Sequence, residues 1–393
     1  MMKTFIMLVN MDPKDFDGRA GTVTPGWEDG KAFPTFTPNN LPVEIDISKK
    51  MGKLLEQANR SLGILNGFKR SQYEELTPFL ISLYIRKEAV SSSKIEGTKS
   101  SLNDVVEAEA KERLGQKGVD EDAKQVINYS KALKAGLELI KTSELNTELL
   151  LKLHKILLSG VRGSGKNPGE IRTSQNFIGK DETTPISEAT YVPPTPDKVV
   201  SLLDNLFYYL NEDNETPDLI KIALAHYQFE AIHPFRDGNG RLGRLLIILY
   251  LSKKGLLELP TIYVSGFFER YRTEYYEKLL AVSKTADYVS WVNFFLMGVL
   301  TQANDAVKRA LELRSYFEQE KHKIKNKRVL DVFEYLFSEP VISTTEIAKF
   351  LVVTYPTAKE IVEKLLKIDI LKPIASRKEK LFAAKGIIDI VSG

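Results

Sequence analysis

The chain has 393 residues, a formal net charge of +3, no cysteine and four histidines. That length accommodates two or three domains and a large core, and the near-neutral balance makes no global claim on nucleic acid or membrane. The absence of thiols excludes disulfides and thiolate metal sites, and no His-Glu-x-x-His pair occurs among His154, His226, His233 and His322, which counts against a zinc hydrolase.

The N-terminal apolar run, Phe5 to Val9, is too short for a signal-peptide core or a membrane span, so a cytoplasmic protein without a membrane partner is expected. Residues 1 to about 45 are rich in Gly, Pro, Asp and Thr and read as an irregular or strand-like surface arm. Ile47, Met51, Leu54, Leu55, Ala58, Leu62 and Leu65 recur at helical spacing, and a second helix is predicted from about Pro78 to Ala89. Ser91 to Thr98 then reads as a polar helix end with a glycine cap. Three more helices are marked by Leu102, Val105 and Val106, by Val126, Tyr129, Leu133 and Leu137, and by Leu149, Leu150, Leu153 and Ile156. His154 lies among apolar neighbours and reads as structural.

Glycines 160, 163, 165 and 169 break the pattern, and strands are expected over 171–179 and 189–192, with a turn between them at 180–185. Helices resume at Val199 and continue through Leu210. The most informative stretch follows, His233-Pro-Phe-Arg-Asp-Gly-Asn-Gly-Arg-Leu-Gly-Arg244, between two apolar helical segments. Gly238 and Gly240 permit a tight turn and close approach to a ligand. A helix opening there offers free N–H groups and a positive dipole end to an anion. Arg241 and Arg244 share one helix face and can both reach a polyphosphate, Asp237 can hold Mg2+ between phosphates, and His233 is placed to take a proton from a hydroxyl. The bland alternative is a helix-turn-helix corner with structural histidine and arginines.

This stretch resembles the signature of the Fic family, His-x-Phe-x-Asp/Glu-Gly-Asn-Gly-Arg-x-x-Arg, at every fixed position: His233, Phe235, Asp237, Gly238, Asn239, Gly240, Arg241 and Arg244. The resemblance implies transfer of AMP from ATP to a Tyr, Thr or Ser hydroxyl of a target protein or of the chain itself. His233 would be the base, Asp237 the Mg2+ ligand, Asn239 a phosphate-orienting group, Gly238 and Gly240 the anion nest, Arg241 and Arg244 the holders of the outer phosphates, and Phe235 a buried anchor. Ser92, Glu96 and Gly97 match the family's inhibitory motif, which implies that Glu96 pairs with Arg244 and withholds it from ATP. The strands around 180 would be a flap whose tip, Ile178 and Gly179, docks the target's backbone. Tyr275 and Tyr276 resemble a segment walling the adenine pocket, although Ser283 stands near a position where relatives often carry Asn; both tyrosines read equally as core aromatics. The resemblance also allows a homodimer.

A helical stretch from about Tyr288 to Lys321 leads to a basic run. Helices over 329–337, 344–350 and 356–367, then β-like runs over 371–375 and 380–384, follow the order of a winged helix. Residues 321–393 carry fourteen Lys/Arg against nine Asp/Glu, which permits DNA binding, while many winged helices dock proteins instead. The expectation is a mainly α protein: an N-terminal arm and helices with the inhibitory motif over 1–110, a Fic catalytic core with a β-hairpin flap over 111–320, and a winged helix-turn-helix domain over 321–393. The alternatives are a transferase using another phosphate donor, which the Gly-Asn-Gly-Arg form speaks against, and a DNA-binding regulator with a sensory or inert Fic core.

Overall fold

Local signals set most of the element boundaries. The computed structural model describes residues 11–28, 31–69, 77–116, 118–179, 185–258, 260–374 and 380–393. Two strands, β1 (Gly21–Glu28) and β2 (Lys31–Pro38), pair antiparallel. Helices follow: α1 (Lys49–Lys69), α2 (Thr77–Ile95), α3 (Leu102–Arg113), α4 (Glu121–Leu139) and α5 (Thr147–Leu157). After a long irregular stretch come α6 (Pro196–Asn211), α7 (Asp218–Ile232), α8 (Asn239–Lys253), α9 (Ser265–Arg270), α10 (Arg272–Thr285) and α11 (Tyr288–Lys321). The chain continues as α12 (Lys327–Tyr335), β3 (Val341–Ser343), α13 (Thr344–Phe350), α14 (Tyr355–Lys367), β4 (Lys372–Ile374), β5 (Leu381–Ala383) and α15 (Lys385–Ser392). Ser101 with Asp104, and Ser343 with Glu346, close capping boxes on α3 and α13. Asn146 and Asn326 cap α5 and α12.

The chain divides into two units, Met1–Ala58 with Ala132–Lys254 and Arg270–Gly298, and Asn59–Lys131 with Gly255–Glu269 and Val299–Gly393. In the first, α7 buries every residue from Leu219 to Ile232 except Glu230, packed against α6, α8, α10 and β2. Such a helix is held by burial on all sides rather than by an amphipathic stripe. Trp291 donates its indole N–H to the Ala223 carbonyl at 2.7 Å. The expected surface arm is a hairpin with a core residue: Phe36 is fully buried and its N–H bonds the Val192 carbonyl at 2.8 Å. The strands expected over 171–179 and 189–192 do not form. One isolated antiparallel bridge joins Ile178 to Tyr191, and the expected turn at 180–184 lies outside the described residues.

In the second unit, α2 runs one and a half turns past its expected end, and its last turn buries Ser92 and Ser93. Gly97, at φ 98°, takes the left-handed cap, and the Thr98 N–H reaches the Ser93 carbonyl at 3.2 Å. Arg86 on α2 pairs with Glu109 on α3 at 2.5 Å and with Glu339 at 3.0 Å. The stretch expected as a third domain falls within this unit, its strands ordered β3-β5-β4 in one antiparallel sheet. Strand β3 and helix α15 were not foreseen. Among the described residues, no helix is long and apolar enough to cross a membrane.

Candidate active site

The site is built where α7 stops and α8 starts, inside the first unit. Pro234 disfavours helical backbone at the residue before it, which stops α7; His233 follows in the left-handed region, at φ 48° and ψ 60°. Its Nδ1 lies 3.4 Å from the Glu230 carbonyl. The tautomer with hydrogen on Nδ1 leaves the lone pair on Nε2, as a general base requires. Phe235 is fully buried, its ring stacked on His154 with centroids 3.9 Å apart, while Arg236 turns outward and bonds Ser174 Oγ at 3.0 Å.

Asp237 accepts from Arg241 at 3.3 Å, one helical turn on. Gly163, at φ 90°, sits against this carboxylate: a Cβ there would lie 2.6 Å from Asp237 Oδ2. Gly238, at φ 79°, opens α8 in a conformation that favours glycine. The first turn of α8 thus carries N–H groups with no helical partner of their own and two arginines on one face. Arg241 is 3% exposed and Arg244 1%. Arg244 keeps company with His226, Glu230 and Tyr275. Burial, then the Arg244 charge, lowers His226 to about 3. Burial and the Glu230 charge hold the Tyr275 hydroxyl well above its ordinary range, with Arg244 opposing them.

The structure brings His233, Asp237, Gly238, Asn239, Gly240, Arg241 and Arg244 together on one loop and helix start. Asn239 also holds the loop itself. Its Oδ1 accepts the Phe235 N–H at 2.9 Å and its Nδ2 donates to the Phe235 carbonyl at 2.8 Å, so both ends of the side chain staple the loop. Tyr275 is a core residue whose hydroxyl meets His226 Nε2 at 2.8 Å, whereas Tyr276 is 43% exposed. Ser283 is buried on the Tyr227 hydroxyl at 3.0 Å. Ile178 is exposed beside Gly179. Ser92, Glu96 and Gly97 belong to the other unit.

Three residues outside the motif also hold the loop. His154 is fully buried; its Nδ1 accepts the Gly169 N–H at 2.8 Å, so its Nε2–H donates to the Asp237 carbonyl at 3.0 Å. Burial lowers its pKa to about 4 and keeps it neutral. Arg172 and Asn176 reach the carbonyls of His233 and Phe235. Sequence reasoning missed both, because a side chain that binds a distant carbonyl leaves no periodic signal.

Within the His233–Arg244 loop, Asp237 is the one carboxylate that could face a metal. Among the described residues, no group of three or more His, Asp or Glu could hold an ion. Asp237 alone, with its side chain 25% exposed at an anion-binding helix start, suits Mg2+, which binds through one or two carboxylates plus substrate phosphates.

Two family models match the chain: Fic/DOC family over residues 144–251 and Fic/DOC family N-terminal over residues 52–138. The protein adenylyltransferase Fic of Drosophila grimshawi is 29% identical over 181 residues, 45% of this chain and 33% of that protein. The protein adenylyltransferase fic-1 of Caenorhabditis elegans is 32% identical over 114 residues, 28% of this chain and 20% of that protein. The chain therefore spans a third or less of the length of these curated relatives. A crystal structure of a Fic family protein from Desulfovibrio desulfuricans has a TM-score of 0.56 at 21% identity, covering 86% of this chain and 97% of that one. A Fic domain containing signaling protein from Bacteroides thetaiotaomicron has a TM-score of 0.52 at 16% identity, covering 65% and 96%. Both show a shared fold. The His233–Arg244 loop falls inside the first matched segment and Ser92–Gly97 inside the second, so both stretches that carry the resemblance lie within family models: this chain belongs to the Fic/DOC family.

Proposed function

We propose that the chain is a protein adenylyltransferase that moves AMP from ATP to a protein hydroxyl. The observation that carries the reading is the junction of α7 and α8: a histidine with the geometry of a base stands four residues before a carboxylate and an anion-binding helix start. In the reaction the target hydroxyl oxygen bonds to the α-phosphorus, the bond from that phosphorus to the bridging oxygen breaks, and pyrophosphate leaves. His233 Nε2 takes the hydroxyl proton. The first turn of α8, with Arg241 and Arg244, offsets charge on the phosphates. Mg2+, bound by Asp237 and phosphate oxygens, would supply further positive charge there. The adenine would lie near the exposed Tyr276, and the target backbone would dock along Ile178 and Gly179 as an added strand.

We further propose that Glu96 restrains this activity by competing with ATP for Arg244. The match of Ser92, Glu96 and Gly97 to the inhibitory pattern supports this. A carboxylate and a guanidinium make a bidentate pair, and an arginine so engaged cannot also clamp a phosphate.

The test is incubation of wild type, Glu96→Gly and His233→Ala with Mg2+ and ATP labelled at the α- or the γ-phosphate. Self-labelling from the α-label alone, stronger in Glu96→Gly and lost in His233→Ala, is the expected result. Labelling from the γ-label alone would make the protein a kinase-like member. No labelling from either would leave the core a sensor.

A second function rests on the C-terminal segment. The succession α12-β3-α13-α14-β4-β5, with an antiparallel β3-β5-β4 sheet, supports a winged helix. We propose that it docks DNA, with the exposed Tyr355 and Lys359 of α14 turned to the duplex. A mobility shift that weakens steeply with salt is expected; a shift absent at low salt would end this proposal.

A further inference from the structure

We propose that Arg172 and Asn176 are positioning residues for His233, forming a clip that fixes the backbone from which the proposed base projects. The inference rests on the reading of His233 as that base.

The clip answers a problem the loop creates. A helix that ends at Ile232 and turns sharply leaves the carbonyls after it without helical partners. A histidine in left-handed backbone also gives up conformational stability that surrounding contacts must restore. Arg172 Nε donates to the His233 carbonyl at 2.9 Å and Nη2 to the Ile232 carbonyl at 3.4 Å. The Arg172 N–H takes the Pro234 carbonyl at 3.0 Å. Asn176 Nδ2 is shared between the carbonyls of His233 at 3.1 Å and Phe235 at 2.8 Å. Four consecutive carbonyls, from Ile232 to Phe235, are thus gripped by two residues about sixty positions earlier in the chain. Arg172 is itself anchored, Nη2 bonding the Pro194 carbonyl and Nη1 the Ser174 carbonyl.

The arrangement has two consequences. It fixes His233 at its left-handed backbone angles, and so fixes the direction of the imidazole. It also ties these carbonyl oxygens to donors of the supporting segment, so that the turn leaves none of them without a partner. Arg172, 3% exposed, adds a buried positive charge behind the loop. Lysine cannot replace it: its ammonium is one point of donation, whereas the guanidinium spreads fixed donors over several carbonyls. Asn176 is only part-buried, so its truncation tests the hydrogen bonds with little loss of packing.

The test uses the full chain with histidines labelled at Cε1. The four histidines give four NMR signals, assigned by single His→Gln variants. In Asn176→Ala and in Arg172→Lys, the His233 signal and its titration midpoint should move, while His322 in the C-terminal segment should not. AMP transfer should lose kcat on the order of 10²-fold, the scale of a misplacement of about 1 Å, while the KM for ATP stays within about threefold because Asp237 and the start of α8 are held by other groups. An unmoved His233 signal with unchanged kcat would overturn the proposal. So would a parallel shift of all four signals in Asn176→Ala, which would mark a general structural role. If Arg172→Lys loses its fold, the Asn176→Ala result decides alone. If wild type transfers no AMP yet the His233 signal moves alone, the clip stands and the reading of the enzyme falls.

Discussion

Replacing Gly163 by alanine is expected to displace the Asp237 carboxylate without altering Asp237 itself. Gly163 holds φ 90°, and the new methyl carbon would sit 2.6 Å from Oδ2 and 3.2 Å from Cγ of Asp237. No carbon and oxygen approach so closely without bonding, so the carboxylate must swing away and stretch its 3.3 Å contact with Arg241. The left-handed backbone itself costs an alanine about 1–2 kcal/mol. Gly160 supplies the control. It too is left-handed, at φ 65°, and a methyl there meets nothing within 4 Å. Both variants should therefore lose a few degrees of melting temperature, on the order of 2–4 °C per kcal/mol. Only Gly163→Ala should lose Mg2+-dependent affinity for a non-cleavable ATP analogue, by about tenfold or more, which is about 1.4 kcal/mol. Calorimetric titration with and without Mg2+ separates the two. Equal Mg2+-dependent affinity in Gly163→Ala and Gly160→Ala would refute the assignment of Asp237 as the metal ligand.

Asn239→Ala should cost about 1–3 kcal/mol in urea unfolding, because it strands the buried Phe235 N–H, whereas the Phe235 carbonyl keeps its bond from Asn176; a loss within error of zero would mean the loop holds without its staple. His154 makes a pH prediction. Its folded pKa, lowered to about 4 from 6.5 chiefly by burial, means that the unfolded state binds a proton first as pH falls. This residue's share of stability is then complete above about pH 6.5 and lost toward pH 4, up to about 3 kcal/mol. His154→Leu should flatten the fall in urea midpoint between about pH 7.5 and about pH 5, and an unchanged slope would disprove it. Arg86→Met removes the guanidinium shared by Glu109 and Glu339 and should cost about 3–5 kcal/mol; a melting temperature equal to wild type would show that solvent satisfies those carboxylates.

What the sequence made legible follows from where each signal resides. Helix α11 could be bounded at Tyr288 and Lys321, and α5 and α6 placed, because apolar spacing is written within the element itself. The His233–Arg244 loop is equally local: base, carboxylate, glycines and arginines lie within twelve consecutive residues. Strand β3 was missed because three residues after Pro340 are too few to display a period of two. Helix α15 was missed because Gly386 weakens its helical signal, and that glycine is explained only by Tyr316, whose ring atoms come within 2.8 Å of where a Cβ would stand.

The segment 171–179 shows why a site is harder to read than a motif. A strand was expected there from composition, and composition does not say which partner wins. The Arg172 N–H bonds the Pro234 carbonyl rather than a neighbouring strand. Its guanidinium and the Asn176 amide are likewise committed to the end of α7. A backbone donor spent on the loop is unavailable to a ladder, and among the described residues the segment keeps only the Ile178–Tyr191 bridge. Asn239 carries a second task that the motif alone does not show: it holds the peptide of Phe235, four residues away, through both of its polar atoms, while its amide keeps a second N–H. The motif names the groups that face the chemistry, and the carbonyls it leaves behind determine which distant residues must support them.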